Sequence, residues 1–190
     1  SGSSVSLNSV GSIVGIGAFW NEGAGRKCGH VRVYEYSGSS WNQKGSDIDG
    51  EAGGDYSGYS VSLSSDGTIV AIGAVQNDGA GSQAGHVRVY EYSGSSWSQK
   101  GSDIDGEAAG DESGTSVSLS DDGSILAVGA NRNSGAGSYA GHVRIYDYNT
   151  CGDDSPCDLC DGTGTSATCG GIAPHTFKRD LGSAFITFVE

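Results

Sequence analysis

Three groups of residues in this chain have the types and spacing for chemistry. The first is an acidic run, "DIDGEAGGD" from Asp47 to Asp55, which returns as "DIDGEAAGD" from Asp103 to Asp111. Side-chain oxygens fall at its first, third, fifth and ninth positions: Asp47, Asp49, Glu51 and Asp55, then Asp103, Asp105, Glu107 and Asp111. Hard cations such as calcium take about six to eight oxygens from a flexible loop, and alternating carboxylates with backbone carbonyls can supply them. The competing reading is a solvated turn, in which the carboxylates cap backbone groups and Ile48 or Ile104 points inward. Calcium is therefore the one cofactor these residues raise.

The second group is His30, His86 and His142, each after a glycine and each opening a run of the form "HVRVYEY" or "HVRIYDY". A histidine copied into equivalent positions makes the same contact each time, and neither a nucleophile elbow nor a metal-ligand histidine pair accompanies it. The reading is a structural hydrogen bond, not general-base catalysis. Carboxylate pairs without a distinct, unrepeated pocket likewise point to no glycosidase, so a non-enzymatic protein is expected.

The third group is the cysteines. Cys151, Cys157, Cys160 and Cys169 crowd a segment rich in Gly, Ser and Asp that has too little apolar matter to fold unaided. Two disulfides are the expected staple, with three possible connectivities, and they imply an oxidising, extracellular setting. Zinc is the alternative, because Cys157 and Cys160 have ligand spacing and His175 is near. Cys28 stands where the other copies have Ala84 and Ala140. An odd thiol in a secreted protein suggests pairing with another chain, or with the tail, leaving one tail cysteine over.

These residues are positioned by a repeat. The three histidines are spaced by 56 residues, and the openings "SGSSVSLNSVGSIVGIGA", "SGYSVSLSSDGTIVAIGA" and "SGTSVSLSDDGSILAVGA" keep the same step. A fixed period of this length marks a solenoid, propeller or array, whose units bury their faces against one another. Within a unit, "SVSL" alternates polar and apolar residues and reads as a strand with one buried face. A tight Gly turn follows, then "IVAIGA", apolar throughout and so covered on both sides. In the third strand, "HVRVYEY", Val87 and Val89 face one way and Arg88, Tyr90 and Tyr92 the other; "WSQKGSDI" is the fourth strand. Trp41, Trp97 and the tyrosine pairs are expected to pack between units.

The fold class is thus all-β, with about three four-stranded antiparallel blade-like repeats, in a propeller-type or open array, followed by a Cys-rich tail. The divisions are 1–56, repeat 1; 57–112, repeat 2; 113–149, an incomplete repeat 3; 150–184, the cysteine segment; and 185–190, a terminal strand. Phe185, Ile186, Thr187, Phe188 and Val189 could fill the vacant edge of the third blade or add to a neighbouring molecule's sheet.

The pattern "SGYSVSLSSDGTIVAIGAVQNDGAGSQAGHVRVYEY" resembles the FG-GAP repeat, the blade of integrin-α-like β-propellers, in a divergent form found in secreted surface proteins. The likeness covers residues 1 to about 149 and lies in the Gly before "SVSL", the "IGA" or "VGA" closing the second strand, and the "GHVRVY" third strand. Two features depart from it: the family's proline after "GA" is absent, and its calcium loop is shortened to "SSDG" or "DDG". The resemblance implies an extracellular, non-catalytic adhesion or recognition scaffold.

Composition bounds the partners. With 23 acidic and 10 basic residues, the formal charge of −13 repels nucleic acid and anionic membranes. No apolar run is long enough for a transmembrane helix, so membrane insertion is not expected. Serine-rich "SGSS" turns could carry O-linked glycans. Propellers close with about four to eight blades, and this chain supplies barely three. Near-identical units, an odd cysteine and a terminal apolar strand together favour self-association, and the expected function is a secreted structural protein of a homopolymer such as a fibre, filament or sheath. The alternative is a propeller-type adhesion or recognition module that binds a protein or glycan, with calcium as its candidate cofactor.

Overall fold

The structure, a computed structural model, describes residues 1–148. The expected disulfide cysteines Cys151, Cys157, Cys160 and Cys169, and the strand candidate from Phe185 to Val189, lie outside the described residues. No described helix is long and apolar enough to cross a membrane.

The described chain is all-β, in three antiparallel sheets. Repeat 1 forms β1 (Ser4–Leu7), β2 (Ile13–Ala18), β3 (His30–Tyr36), β4 (Trp41–Gln43) and β5 (Ile48–Asp49). Repeat 2 forms β6 (Ser57–Leu63), β7 (Ile69–Ala74), β8 (His86–Tyr92), β9 (Trp97–Gln99) and β10 (Ile104–Asp105). Repeat 3 supplies β11 (Ser116–Leu119), β12 (Ile125–Ala130) and β13 (His142–Asp147). Each sheet is a meander in which the second strand lies between the first and third. The expected single fourth strand is broken in two, β4 and β5 both pairing with β3, and β9 and β10 both with β8. The break falls at Gly45 and Gly101, which adopt φ of 75° and 79° and turn the chain out of the ladder before it rejoins.

The hydrophobic cores lie between the sheets. One joins Ile13, Val31, Val33 and Ile48 of repeat 1 to Val61, Leu63, Val70, Ile72 and Tyr90 of repeat 2. The other joins Ile69, Ala71, Val87, Val89 and Ile104 of repeat 2 to Leu126, Val128 and Tyr146 of repeat 3. Strand β7 therefore sends Val70 and Ile72 to one neighbour and Ile69 and Ala71 to the other, and all six of its residues are buried. Among the described residues, the middle repeat is the only one covered on both faces.

Serines stitch the sheets at close range. Ser4 Oγ donates to Gly58 O at 2.8 Å and Ser60 Oγ to Gly114 O at 2.7 Å. Ser6 Oγ accepts from Leu63 N, and Ser62 Oγ from Leu119 N, both at 3.0 Å. This approach needs the glycine of "IGA": a Cβ on Gly17 would run into Gly58 O, and one on Gly73 into Gly114 O. The expectation that "SVSL" has one buried face holds in repeat 2, where Val61 and Leu63 are 8% and 7% exposed. In repeat 1 it is reversed. There the serines are the covered side, and Val5 and Leu7 are 66% and 60% exposed because, among the described residues, no sheet lies over them.

Candidate functional site at the repeat junctions

The acidic run crosses from one repeat to the next, and its carboxylates divide between them. Asp47 stays with its own sheet, accepting from Arg32 Nε at 2.9 Å and Nη2 at 2.8 Å and from Gln43 Nε2 at 2.7 Å. The Asp49 carbonyl accepts from Arg88 Nη2 of repeat 2 at 2.9 Å. Glu51 lies 3.3 Å from Arg88 Nη1 and 4.0 Å from His86 Nδ1. Asp55 is buried; it accepts from its own Ala52 N at 3.0 Å and from Asn77 Nδ2 of repeat 2 at 3.1 Å. The run is a clasp. Its second copy repeats the pattern: Asp105 O accepts from Arg144 at 2.7 Å, Glu107 faces Arg144 and His142, and Asp111 holds Asn133 at 2.8 Å.

Of the expected calcium ligands of the first run, Asp47 and Asp49 lie together beside His30, while Glu51 and Asp55 turn to partners in repeat 2. Among the described residues, the groups close enough to share an ion each contain a histidine: His30 with Asp47 and Asp49, and His86 with Asp103 and Glu51. The shortened turn between the first two strands also uses its carboxylate locally. Asp122 accepts from Ser120 Oγ at 2.6 Å and from Ser124 N and Oγ at 3.0 and 2.7 Å. These bonds, Ser120 first, hold its carboxyl down at about 2.

Electrostatics follow the same division. Arg32 is 42% exposed and folds onto its own Asp47, whereas Arg88, 8% exposed, reaches back to the preceding clasp. The bond to Arg32 is the main reason the Asp47 carboxyl sits at about 2. Burial, then the neighbouring Arg88 guanidinium, lowers the His86 pKa below its ordinary value; burial and Arg32 do the same for His30.

Cys28 is 1% exposed with Sγ 3.8 Å from Asn21 O, inside the loop before β3. A bridge from it to another chain or to the tail requires that loop to open.

The sequence reading did not single out the arginines after the histidines, Arg32, Arg88 and Arg144, although they are repeated in step with them. Nor did it single out an unrepeated aromatic group that joins repeat 1 to the start of repeat 2. Phe19 packs on Trp20 and Tyr56 at 5.6 Å and on Tyr59 at 5.4 Å, and Lys27 lies over Trp20 at 5.5 Å. The positions 56 residues further on are Val75, Gln76, Glu112, Thr115 and Gln83, so a comparison of repeats finds the group at once. A cleft of about 340 Å³ beside it is bounded by Phe19, Trp20, His30 and Arg32.

Compared with models of known protein families and with curated proteins, the chain matches none.

Proposed function

We propose that the protein is a secreted, non-enzymatic structural repeat protein that forms or joins an extracellular homopolymer. The observation that carries this reading is the complementarity of the two outer faces. On repeat 1, Val5 and Leu7 are exposed at the positions that, as Val61 and Leu63, fill the core between repeats 1 and 2. On repeat 3, Val143 and Ile145 are 61% and 46% exposed at the positions that, as Val31 and Val33 or Val87 and Val89, form the other half of each core. Each face is half of an interface that the molecule already makes twice internally. Such a heterologous contact propagates head to tail into a ring or filament. Apolar faces of this kind mark association surfaces.

Sedimentation velocity and electron microscopy of the full chain test the reading. Concentration-dependent head-to-tail assemblies are expected, and Val143→Asp abolishes them while leaving the β signature in circular dichroism unchanged. A chain that stays monomeric at every concentration sinks it.

A second reading, an adhesion module of the FG-GAP kind, is favoured by the aromatic group of repeat 1. Trp20, 65% exposed beside Lys27, offers a stacking platform for a sugar or a protein side chain. Glycan-array binding lost in Trp20→Ala, with assembly unchanged, would select this reading.

A further inference from the structure

The junction of repeats 1 and 2 holds groups that the packing of the sheets leaves unused. His86 opens β8 and is 1% exposed, yet its Nδ1 has no hydrogen-bond partner. A buried ring nitrogen without a partner is costly, so something is expected to satisfy it. It is aimed at Asp103 Oδ2, 3.5 Å away, and at Glu51 Oε2, 4.0 Å away, and the three atoms lie within 4.8 Å of one another.

We propose that His86 Nδ1, Asp103 and Glu51 bind a zinc-class divalent cation that bridges repeats 1 and 2. Zinc bonds of about 2.0–2.2 Å at tetrahedral angles place donor atoms about 3.3–3.5 Å apart, which the His86–Asp103 pair at 3.5 Å already meets and Glu51, 4.0 Å from the ring nitrogen, approaches. One imidazole with two carboxylates is a donor set for borderline ions, whereas calcium takes oxygens alone. Both carboxylates are oriented from behind: Glu51 Oε1 lies 3.3 Å from Arg88, and Asp103 Oδ1 accepts from Gln99 Nε2 at 2.7 Å. Outer partners of this kind fix a ligand's orientation and leave its second oxygen for the ion.

The middle junction is singled out by what the others lack. In repeat 1, His30 faces Asp47 and Asp49 at 3.4 and 4.0 Å, but both oxygens of Asp47 are taken by Arg32. At the next junction His142 faces Glu107 at 3.4 Å, and among the described residues no third ligating group lies close enough to join them. The inference is independent of whether the chain polymerises.

The test is titration of the full, oxidised chain at neutral pH with Zn²⁺ by calorimetry, with Co²⁺ absorption as a probe of ligand type. Saturable binding is expected, weakened at least about tenfold by Glu51→Gln and by Asp103→Asn. Both side chains are partly exposed, so these variants are expected to keep the fold, unlike a substitution of the buried His86. Zn²⁺ is expected to raise the melting temperature, and Ca²⁺ at the same concentration to leave it unchanged. Ions held by tail cysteines are told apart by a thiolate-to-cobalt charge-transfer band that persists in both variants. Zn²⁺ affinity that neither variant lowers, or Ca²⁺ binding as tight as Zn²⁺ and lost with the same variants, overturns the proposal.

Discussion

Repeats 1 and 2 are nearly the same sentence in sequence and different objects in space. Val61 and Leu63 are buried; Val5 and Leu7, at the same positions, face outward. Arg88 reaches into the preceding clasp, while Arg32 folds back onto Asp47. Trp97 Nε1 donates to Lys44 O across the junction at 2.7 Å, and Trp41 is 46% exposed. The difference teaches that burial here belongs to the junction and not to the repeat. A residue's energetic role is set by whether a second sheet lies over it.

Substitutions at matched positions break or sharpen that comparison. The largest contrast is expected at the glycine of the second strand. Gly73→Ala drives a methyl into Gly114 O and costs about 3 kcal/mol, the upper end of overpacking. Gly129→Ala meets chiefly the rotatable Ser116 hydroxyl and costs well under half of that. Chemical denaturation of the full chain measures both, and equal losses would refute the close-approach argument.

Leu63→Ala is expected to cost about 2–4 kcal/mol, since it empties part of a core. Leu7→Ala, at the outer face, is expected to stay within about 0.5 kcal/mol for the monomer and to act on assembly instead. Next in size are the arginines. Arg88→Ala loses a buried charged bond to Asp49 O and its pairing with Glu51, worth about 2 kcal/mol. Arg32→Ala removes a partly exposed pair within one repeat, worth less than about 1 kcal/mol.

The smallest effects are those of pH. The folded His86 has a pKa below the ordinary 6.5, so the unfolded chain takes up protons first as pH falls. Stability from this group is full above that value and declines as pH drops below it toward the folded pKa. Asp47 works lower on the scale: its stabilisation is present above its ordinary 3.8 and is lost as pH falls through about 2. Melting temperature followed from pH 8 downward should therefore show two separate declines, the first of them reduced in a folded His86→Gln variant.

The sequence discloses whatever one repeat decides alone. The alternation in "HVRVYEY" assigns Val87 and Val89 to one side and Arg88 and Tyr90 to the other, and the structure agrees. The unbroken apolar run of β7 announces two covered faces for the same reason. The clasp is less legible because its partners are far apart in the chain: Arg88 meets a carbonyl 39 residues upstream, and Asn77 a carboxylate 22 residues upstream. Spacing within "DIDGEAGGD" resembles a cation loop because alternating acidic residues look alike whether they converge or diverge. The repeated Arg after each His was the available signal. The break in the fourth strand was signalled too, by Gly45 and Gly101 within otherwise extended segments.

Placing the cores between sheets gives the molecule an arithmetic of its own. A single repeat has no interior, two have one, and three have two, so the first repeat to fold gains little until a second docks on it. Each later addition brings a whole interior for the ordering of only one more unit. Stability is then expected to climb with repeat number, and unfolding to begin by peeling from an end. The middle repeat is the last to let go.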